Sequence, residues 1–458
     1  MAKRYRSSKK KLPQDPIELS IQRLSHDGRG VGSIAGKVAF VDGALPGETV
    51  RARYVNERSQ FAEMSLETVI QASPQRVNPV CAVYGRCGGC VLQHLDPAAQ
   101  IDFKRDHLLE KLRHNGIDTD TLPLLENLTA DDHHYRRKAR LAVRYVSKRG
   151  GVLVGFREKH GSFITDMHDC PVLVAPLGRL IEPLRELLST LDGRQLIPQV
   201  EVAAGEIESS DRHPEGLQVA LVLRHLEALS PADLEKILSF ARHHHCDMYL
   251  QPGGTATIHK IWPVDTLPRL HYRLPDHGLE LAFHPVDFTQ VNGGINRKLV
   301  ALALRLLAPQ PQHRILDLFC GLGNFTLPLA RHCAAVVGVE GSEDMVARGR
   351  ENAAANGIDN VEFHAADLSA DCHQHGWMQQ TFDRVLLDPP RSGALEIIEQ
   401  LSVLGADRLV YISCNPSTLA RDAARLQELG YALVTAGVMD MFPHTAHVES
   451  IAVFERVC

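Results

Sequence analysis

The sequence predicts an α/β protein: a doubly wound, mostly parallel sheet in the C-terminal part, a small OB-like β-barrel near the N-terminus, and a central α+β domain between them. Two observations predict the sheet. Apolar runs at Arg314–Phe319, Ala335–Val339, Val361–His364, Arg384–Leu387 and Leu409–Ser413 are separated by helix-like segments, the alternation that builds parallel sheets. The last two runs, Ala432–Val438 and Ser450–Phe454, leave no room for a helix between them. They are expected to pair as a terminal antiparallel hairpin. A third observation predicts the barrel. Ile17, Leu19 and Ile21 alternate with polar residues, as do Val50, Ala52 and Tyr54, and the turn pairs Asp27-Gly28, Asp42-Gly43 and Pro46-Gly47 separate the runs.

The 458 residues, 44% of them hydrophobic, suffice for several cores. No apolar run approaches the roughly 20 residues of a membrane span, and the start has no apolar signal core, so a cytoplasmic protein is expected. The net charge of -5 argues against a nucleic-acid partner only in sum, because its distribution is uneven. Residues 1–15 open with Lys3, Arg4, Arg6, Lys9, Lys10 and Lys11 and no acid among the first eleven. They are read as a disordered basic tail suited to phosphate attraction or merely to solubility. Residues 16–75 form the expected barrel. Its segments HDGRGVG and KVAFVDGALPGETV resemble a TRAM domain, which implies RNA binding.

Residues 76–287 form the expected central domain. Ala98–His114 reads as a helix, and a probable strand follows that carries Arg136, Arg137, Lys138, Arg140 and Arg144. Its bland reading is a solvated edge strand. The favoured one is a row of cations beside an RNA path. Cys81, Cys87 and Cys90 form C-x5-C-x2-C, and Cys170 stands before a proline as a remote fourth. Four thiolates suit tetrahedral zinc or an iron–sulfur cubane. A triplet with a distant Cys-Pro is more like ferredoxin-type ligation, so a [4Fe–4S] cluster is expected. Cys246, Cys320, Cys333, Cys372 and Cys458 receive no role.

Residues 288–458 are expected to hold the chemistry. Gly321 and Gly323 lie in a strand–turn–helix segment whose third fingerprint position is Thr326 rather than glycine. This disfavours a pyrophosphate ligand. Glu340, about 20 residues on, ends the next strand where a carboxylate can accept from ribose hydroxyls. Asp367 and Asp388 follow later strands, and Asp367 is placed to receive an adenine amino group. Three acids in this order, with the terminal hairpin, point to S-adenosylmethionine and its Rossmann-like methyltransferase fold. Cys414 follows a buried strand at the same sheet edge, and its thiolate is reachable near neutral pH. It could add to C6 of a uracil and so make C5 nucleophilic. Glu449 is the expected general base, with His444 and His447 as weaker candidates.

FTQVN from Phe288, LDLFCGLGNF, DPPRSG, SCNP and HVES occur in that order, and together they resemble the RNA uracil-C5 methyltransferase family. The resemblance implies Cys414 as nucleophile and Glu449 as base. It implies Gln290, Phe319, Asn324, Glu340, Asp367 and Asp388 as cofactor contacts, and agrees with an iron–sulfur cluster on Cys81, Cys87, Cys90 and Cys170. With barrel and cysteine cluster added, the chain is similar to the members that modify 23S ribosomal RNA, acting as a monomer without a membrane or protein partner. Radical methylthiotransferases also carry TRAM barrels, but their three-cysteine spacing differs. Two other readings are the same chemistry on another RNA, such as transfer RNA, and an RNA-binding assembly factor without turnover.

Overall fold

The computed structural model describes residues 12–457, and the chain divides into two compact units. The lysines and arginines of the expected basic tail, with Cys458, fall outside the described residues.

The first unit runs to Gly85 and includes Gly89–Phe103 and His444–Ala446. Its strands are β1 (Ile17–Leu24), β2 (Gly30–Ile34), β3 (Lys37–Asp42), β4 (Thr49–Glu57) and β5 (Phe61–Gln71). They close a barrel in the order β1-β2-β3-β5-β4, with β3 and β5 parallel and the other pairs antiparallel. Leu19, Ile21, Ala39, Val41, Val50, Ala52, Ala62 and Met64 fill the interior. The period-two pattern read from β1 and β4 is therefore an inside–outside alternation. At Gly32 a Cβ would stand 2.6 Å from the Ser20 carbonyl oxygen, so only glycine lets β2 pass β1 this closely.

One charged group lies under the barrel turns. Glu48 is fully buried and accepts from Arg76 Nε at 2.5 Å, Arg76 Nη2 at 2.8 Å and the Leu45 amide at 2.8 Å. Burial opposes its ionisation, but the Arg76 hydrogen bond and the backbone donors outweigh it and hold its carboxyl below the ordinary value. Glu48→Ala is expected to lower stability by about 2 kcal/mol, because Arg76 and the Leu45 amide lose their partner. The melting of the full-length chain checks this. A depressed folded-state value stabilises above the unfolded-state value and is lost as pH falls through the folded one. The difference between wild type and variant should therefore shrink in acid.

The second unit holds Arg86–Gly88, Lys104–Pro443 and His447–Cys458. The first helix, α1 (Pro97–His114), crosses the division. Within the second unit come β6 (Lys138–Val146), β7 (Gly151–Gly155), α2 (Ala175–Arg179), α3 (Ile181–Thr190), β8 (Gln199–Glu206), β9 (Leu217–Arg224), α4 (Pro231–His243), β10 (Asp247–Gln251) and β11 (His259–Trp262). The strands form a six-stranded sheet in the order β11-β10-β9-β8-β6-β7. A hairpin of β12 (Leu270–Leu274) and β13 (Leu279–Phe283) follows. Then come α5 (Gly293–Leu307), β14 (Arg314–Leu318), α6 (Thr326–Ala330), β15 (Ala335–Glu340), α7 (Glu343–Ala355), β16 (Val361–Ala365), β17 (Arg384–Leu387), α8 (Leu395–Ile398), β18 (Arg408–Ser413), α9 (Pro416–Glu428), β19 (Tyr431–Met439) and β20 (Glu449–Arg456). Their strands make a seven-stranded sheet in the order β16-β15-β14-β17-β18-β20-β19. All neighbours from β16 to β18 are parallel, while β20 is antiparallel to both β18 and β19. The expected terminal hairpin is present. The interior is continuous, since Val222 and Tyr249 of the six-stranded sheet share one core with Leu281, Phe283, Leu299, Ile315 and Val410. Among the described residues no helix is long and apolar enough to cross a membrane.

The basic run corrects one expectation. β6 lies inside its sheet, between β8 and β7, so it is not an edge strand. Arg137 turns inward to Glu206, at 2.5 Å, and Glu206 also holds Arg297 at 2.5 Å. Lys138 donates to the Asp287 carbonyl, and burial lowers its ammonium to about 8. Arg140 and Arg144 face solvent, and Arg140 pairs with Glu201 at 2.6 Å. The five cations do not form one exposed row.

Candidate active site

The site sits where theory places ligands in such sheets, at the C-terminal ends of the parallel strands. The register aligns those ends. Leu318 of β14 pairs with Val339 on one side and Leu387 on the other, and Leu387 pairs with Tyr411. Phe319, Glu340, Asp388 and the end of β18 therefore come to one edge. A cavity of about 830 Å³ opens there, within the range of roughly 300–1,000 Å³ common for small-molecule sites. Gln290, Phe319, Glu340, Asp367, Asp388, Cys414 and Glu449 all line it.

The turn after β14 is built for close approach. Phe319, Gly321 and Gly323 have φ of 63°, 56° and 98°, so three residues take left-handed backbone within five. The Gly321 amide donates to Glu340 Oε2 at 3.1 Å and the Ser342 amide to Oε1 at 3.2 Å, which fixes the carboxylate at the cavity wall. Carboxylate oxygens can accept further bonds, such as those from vicinal hydroxyls. Asp367 is exposed and accepts from the Ser369 amide and hydroxyl through Oδ1, leaving Oδ2 available. Those bonds hold it below the ordinary aspartate value. Asp388 accepts from Gln290 Nε2 at 3.5 Å, and burial pushes it up to about 7.

Asn324 behaves differently from the other expected contacts. It is not among the residues lining the cavity. Its amide exchanges two 2.9 Å bonds with Asn296, and its oxygen accepts from Tyr272 as well. The side chain fastens the glycine turn to α5 and β12.

Cys414 and Glu449 are brought together by strand pairing. Ser413 of β18 faces Ser450 of β20 in antiparallel register, and the Ser450 hydroxyl donates to the Ser413 carbonyl at 3.2 Å. Cys414 and Glu449 follow and precede that pair in the chain, and both line the cavity, near enough for Glu449 to act on the thiol. Beyond Cys414, Asn415 caps α9 by accepting from the Ser417 amide, and Pro416 fills the first helical position. The same asparagine donates to the Arg391 carbonyl at 3.0 Å, tying the cysteine loop to the loop after Asp388.

The electrostatics favour neutral acids. Cys414 is half-buried, and burial followed by the nearby Glu449 raises its thiol, with Arg391 pulling the other way. Glu449 is buried, and burial reinforced by Asp388 pushes it up to about 8, against Arg391 and Lys104. Lys104 is itself fully buried, bound to Asp440 at 2.5 Å and to the Phe442 carbonyl at 2.9 Å. Asp317, buried beneath the glycine turn and holding the Thr326 hydroxyl at 2.6 Å, is also raised to about 7, first by burial.

The weaker base candidates separate cleanly. His444 belongs to the first unit, is buried, and spends its backbone and ring on Gln100, Val91 and Leu92. His447 lines the cavity 3.5 Å from Arg391. Sequence reasoning gave no role to Arg391, Phe288 or Lys104. Arg391 and Phe288 stood inside quoted motifs, and Phe288 is 70% exposed at the cavity, an unusual place for a phenyl ring. Of the cysteine quartet, Cys81 and Cys90 belong to the first unit and are half-buried, while Cys87 and Cys170 belong to the second and are buried.

Comparison with known proteins gives consistent matches. The family model of tRNA (uracil-5-)-methyltransferases matches residues 269–457, and that of the TRAM domain matches residues 15–63. A 23S rRNA (uracil(1939)-C(5))-methyltransferase of Hahella chejuensis is 53% identical, over 98% of this chain and 99% of its own. The protein of that name from Alkalilimnicola ehrlichii is 50% identical, over 98% of each chain. The crystal structure of Pyrococcus abyssi tRNA (uracil-54, C5)-methyltransferase in complex with S-adenosyl-L-homocysteine superposes with a TM-score of 0.73. It is 25% identical and covers 96% of this chain and 100% of its own.

Proposed function

The chain belongs to the RNA (uracil-C5)-methyltransferase family, and on that basis we propose that it methylates C5 of a uridine in 23S ribosomal RNA, using S-adenosylmethionine. The observation that carries this reading is that Cys414 and Glu449, close enough for the carboxylate to raise the thiol, line one cavity together with Phe319, Gly321, Glu340 and Asp388.

The residues suit that cofactor. Glu340, anchored by two amides, is placed for ribose hydroxyls; Asp367 offers an oxygen to an adenine amino group; Phe319 and Gln290 complete the wall. Asn324 acts indirectly, by holding the turn. S-adenosylmethionine would supply the methyl group, and its positive charge suits a cavity lined by Glu340, Asp367, Asp388 and Glu449.

The chain's own groups do the rest. Cys414 loses its proton to solvent and Sγ bonds to C6 of the uracil, moving the C5–C6 π electrons onto C5 and O4. C5 then bonds to the methyl carbon as the sulfonium S–CH3 bond breaks, its electron pair staying on sulfur as the neutral thioether. Glu449 accepts the hydrogen of C5 as a proton, and that electron pair re-forms the ring double bond as the S–C6 bond breaks. A target uridine in folded RNA must leave its stack to reach Cys414, at a cost of a few kcal/mol.

Mapping 5-methyluridine in cells lacking the protein tests the substrate. One 5-methyluridine of 23S RNA should disappear and return with the wild-type chain. Loss from transfer RNA with 23S RNA intact would assign the chemistry to the other RNA.

Cys81, Cys87, Cys90 and Cys170 supply four thiolates, the donor set of a [4Fe–4S] cluster. None of the four lines the catalytic cavity, so a cluster there would be structural or RNA-positioning rather than part of the reaction. Anaerobically purified protein should contain about four irons and four sulfides per chain, and Cys90→Ser should lose most of both. One tightly bound zinc instead would replace this assignment.

A further inference from the structure

The six-stranded sheet carries a second concavity, which the methylation chemistry leaves unused. It has a volume of about 310 Å³ and lies where β10, β11, the end of α4 and the segment before β9 meet. Its walls are Arg212, His213, Gln218, Arg242, His245 and Trp262, and it shares no lining residue with the catalytic cavity.

Its charge is one-sided. The only carboxylate in the lining is Asp247, which is 3% exposed and already engaged: Lys260 lies 2.7 Å from it and Gln218 donates to it at 2.9 Å. Arg212, Arg242 and His245 are exposed. Arg242 reaches a glutamate, Glu235, but that pair is solvent-exposed and contributes little. Arg212 and His245 thus border an opening whose one lining carboxylate is already held by Lys260 and Gln218.

The aromatic component is equally specific. Trp262 is one of two tryptophans in the chain, and the Arg242 guanidinium lies over its ring, 5.6 Å from the centroid. An indole with a guanidinium above it is a stacking surface for a nucleobase, and flanking arginine and histidine N–H groups suit a phosphate. The volume is at the lower end of small-molecule sites and fits one nucleotide rather than a helix or a peptide fold.

We propose that this concavity is a subsite for one unpaired nucleotide of the RNA substrate, separate from the uridine that is methylated. The base stacks at Trp262, and its phosphate lies among Arg212, His213 and His245. This rests on the reading that the substrate is RNA. It assigns to the central domain a binding role in addition to any played by the exposed Arg140 and Arg144 of β6.

The test uses the full-length protein and an unmodified 23S RNA transcript. Trp377 is 1% exposed, so quenching of tryptophan emission by the transcript should come from Trp262. Wild type should be quenched, and Trp262→Ala should show no quenching and bind the transcript about tenfold more weakly, as loss of one stacking contact implies. Arg212→Ser, an exposed change that spares the core, should reduce the slope of log Kd against log salt by about one. In both variants KM for the transcript should rise and that for S-adenosylmethionine should not. Unchanged affinity and salt slope in both variants would overturn the proposal. So would quenching by poly-glutamate but not by the transcript, which would indicate an acidic protein partner. Failure of wild type to methylate the transcript would instead count against the substrate reading, and the quenching experiment would still decide the subsite.

Discussion

Cys414→Ala is expected to abolish methylation, with a loss on the order of 10⁴-fold or more, because Cys414 is the one thiol among the residues lining the cavity. The effect should fall on kcat rather than on binding. The substitution removes one half-buried sulfur at a loop end, while the surrounding frame is held by other atoms. Ser450 bonds the Ser413 carbonyl, and Asn415 caps α9 and binds the Arg391 carbonyl. The variant should therefore fold and bind RNA and cofactor normally. Single-turnover methylation with saturating RNA separates chemistry from binding. Residual activity within tenfold of wild type would assign the nucleophile elsewhere.

Glu449→Gln should act later in the reaction. Addition and methyl transfer do not need the carboxylate, whereas removal of the C5 proton does. Turnover is expected to fall by about 10²–10⁴, and a covalent RNA–protein species should accumulate with an ordinary uridine substrate. Its band on a denaturing gel is the readout. The pH dependence has a defined sign. Burial and Asp388 raise Glu449 to about 8, and only its ionised form is a base. The wild-type rate should thus rise with pH through about 8 and continue to rise above it, because the raised thiol of Cys414 also needs deprotonation. The variant keeps only the thiol's contribution, so its profile should be shallower.

Much of this architecture could be read from the chain, for a physical reason. Strand periodicity, turn glycines and strand-end acids are local features. The alternation around Ile17 and Val50 became the barrel wall, and the closely spaced runs Ala432–Val438 and Ser450–Phe454 became the hairpin that sets Glu449 beside Cys414. What stayed hidden depends on distant partners. Arg137 and Lys138 look like exposed cations until β8 supplies Glu206 and the segment before α5 supplies the Asp287 carbonyl. Lys104 stands in a stretch that reads only as a helix, yet Asp440, more than three hundred residues away, makes its burial tolerable. Asn324 sits in a cofactor motif, but Asn296 and Tyr272 consume its amide. The second cavity draws on three separate stretches of chain, none of which has a motif.

Methylation by this route requires a thiol that bonds to a pyrimidine, and a fluorinated substrate tests that bond most directly. The protein would be incubated with S-adenosylmethionine and a 23S RNA transcript carrying 5-fluorouridine, then denatured and digested. Fluorine cannot leave C5 as a proton, so wild type should retain a stable RNA adduct on the peptide containing Cys414, already methylated at C5. Cys414→Ala should give none. Methylated RNA released without any adduct, or an adduct on another residue, would contradict the mechanism.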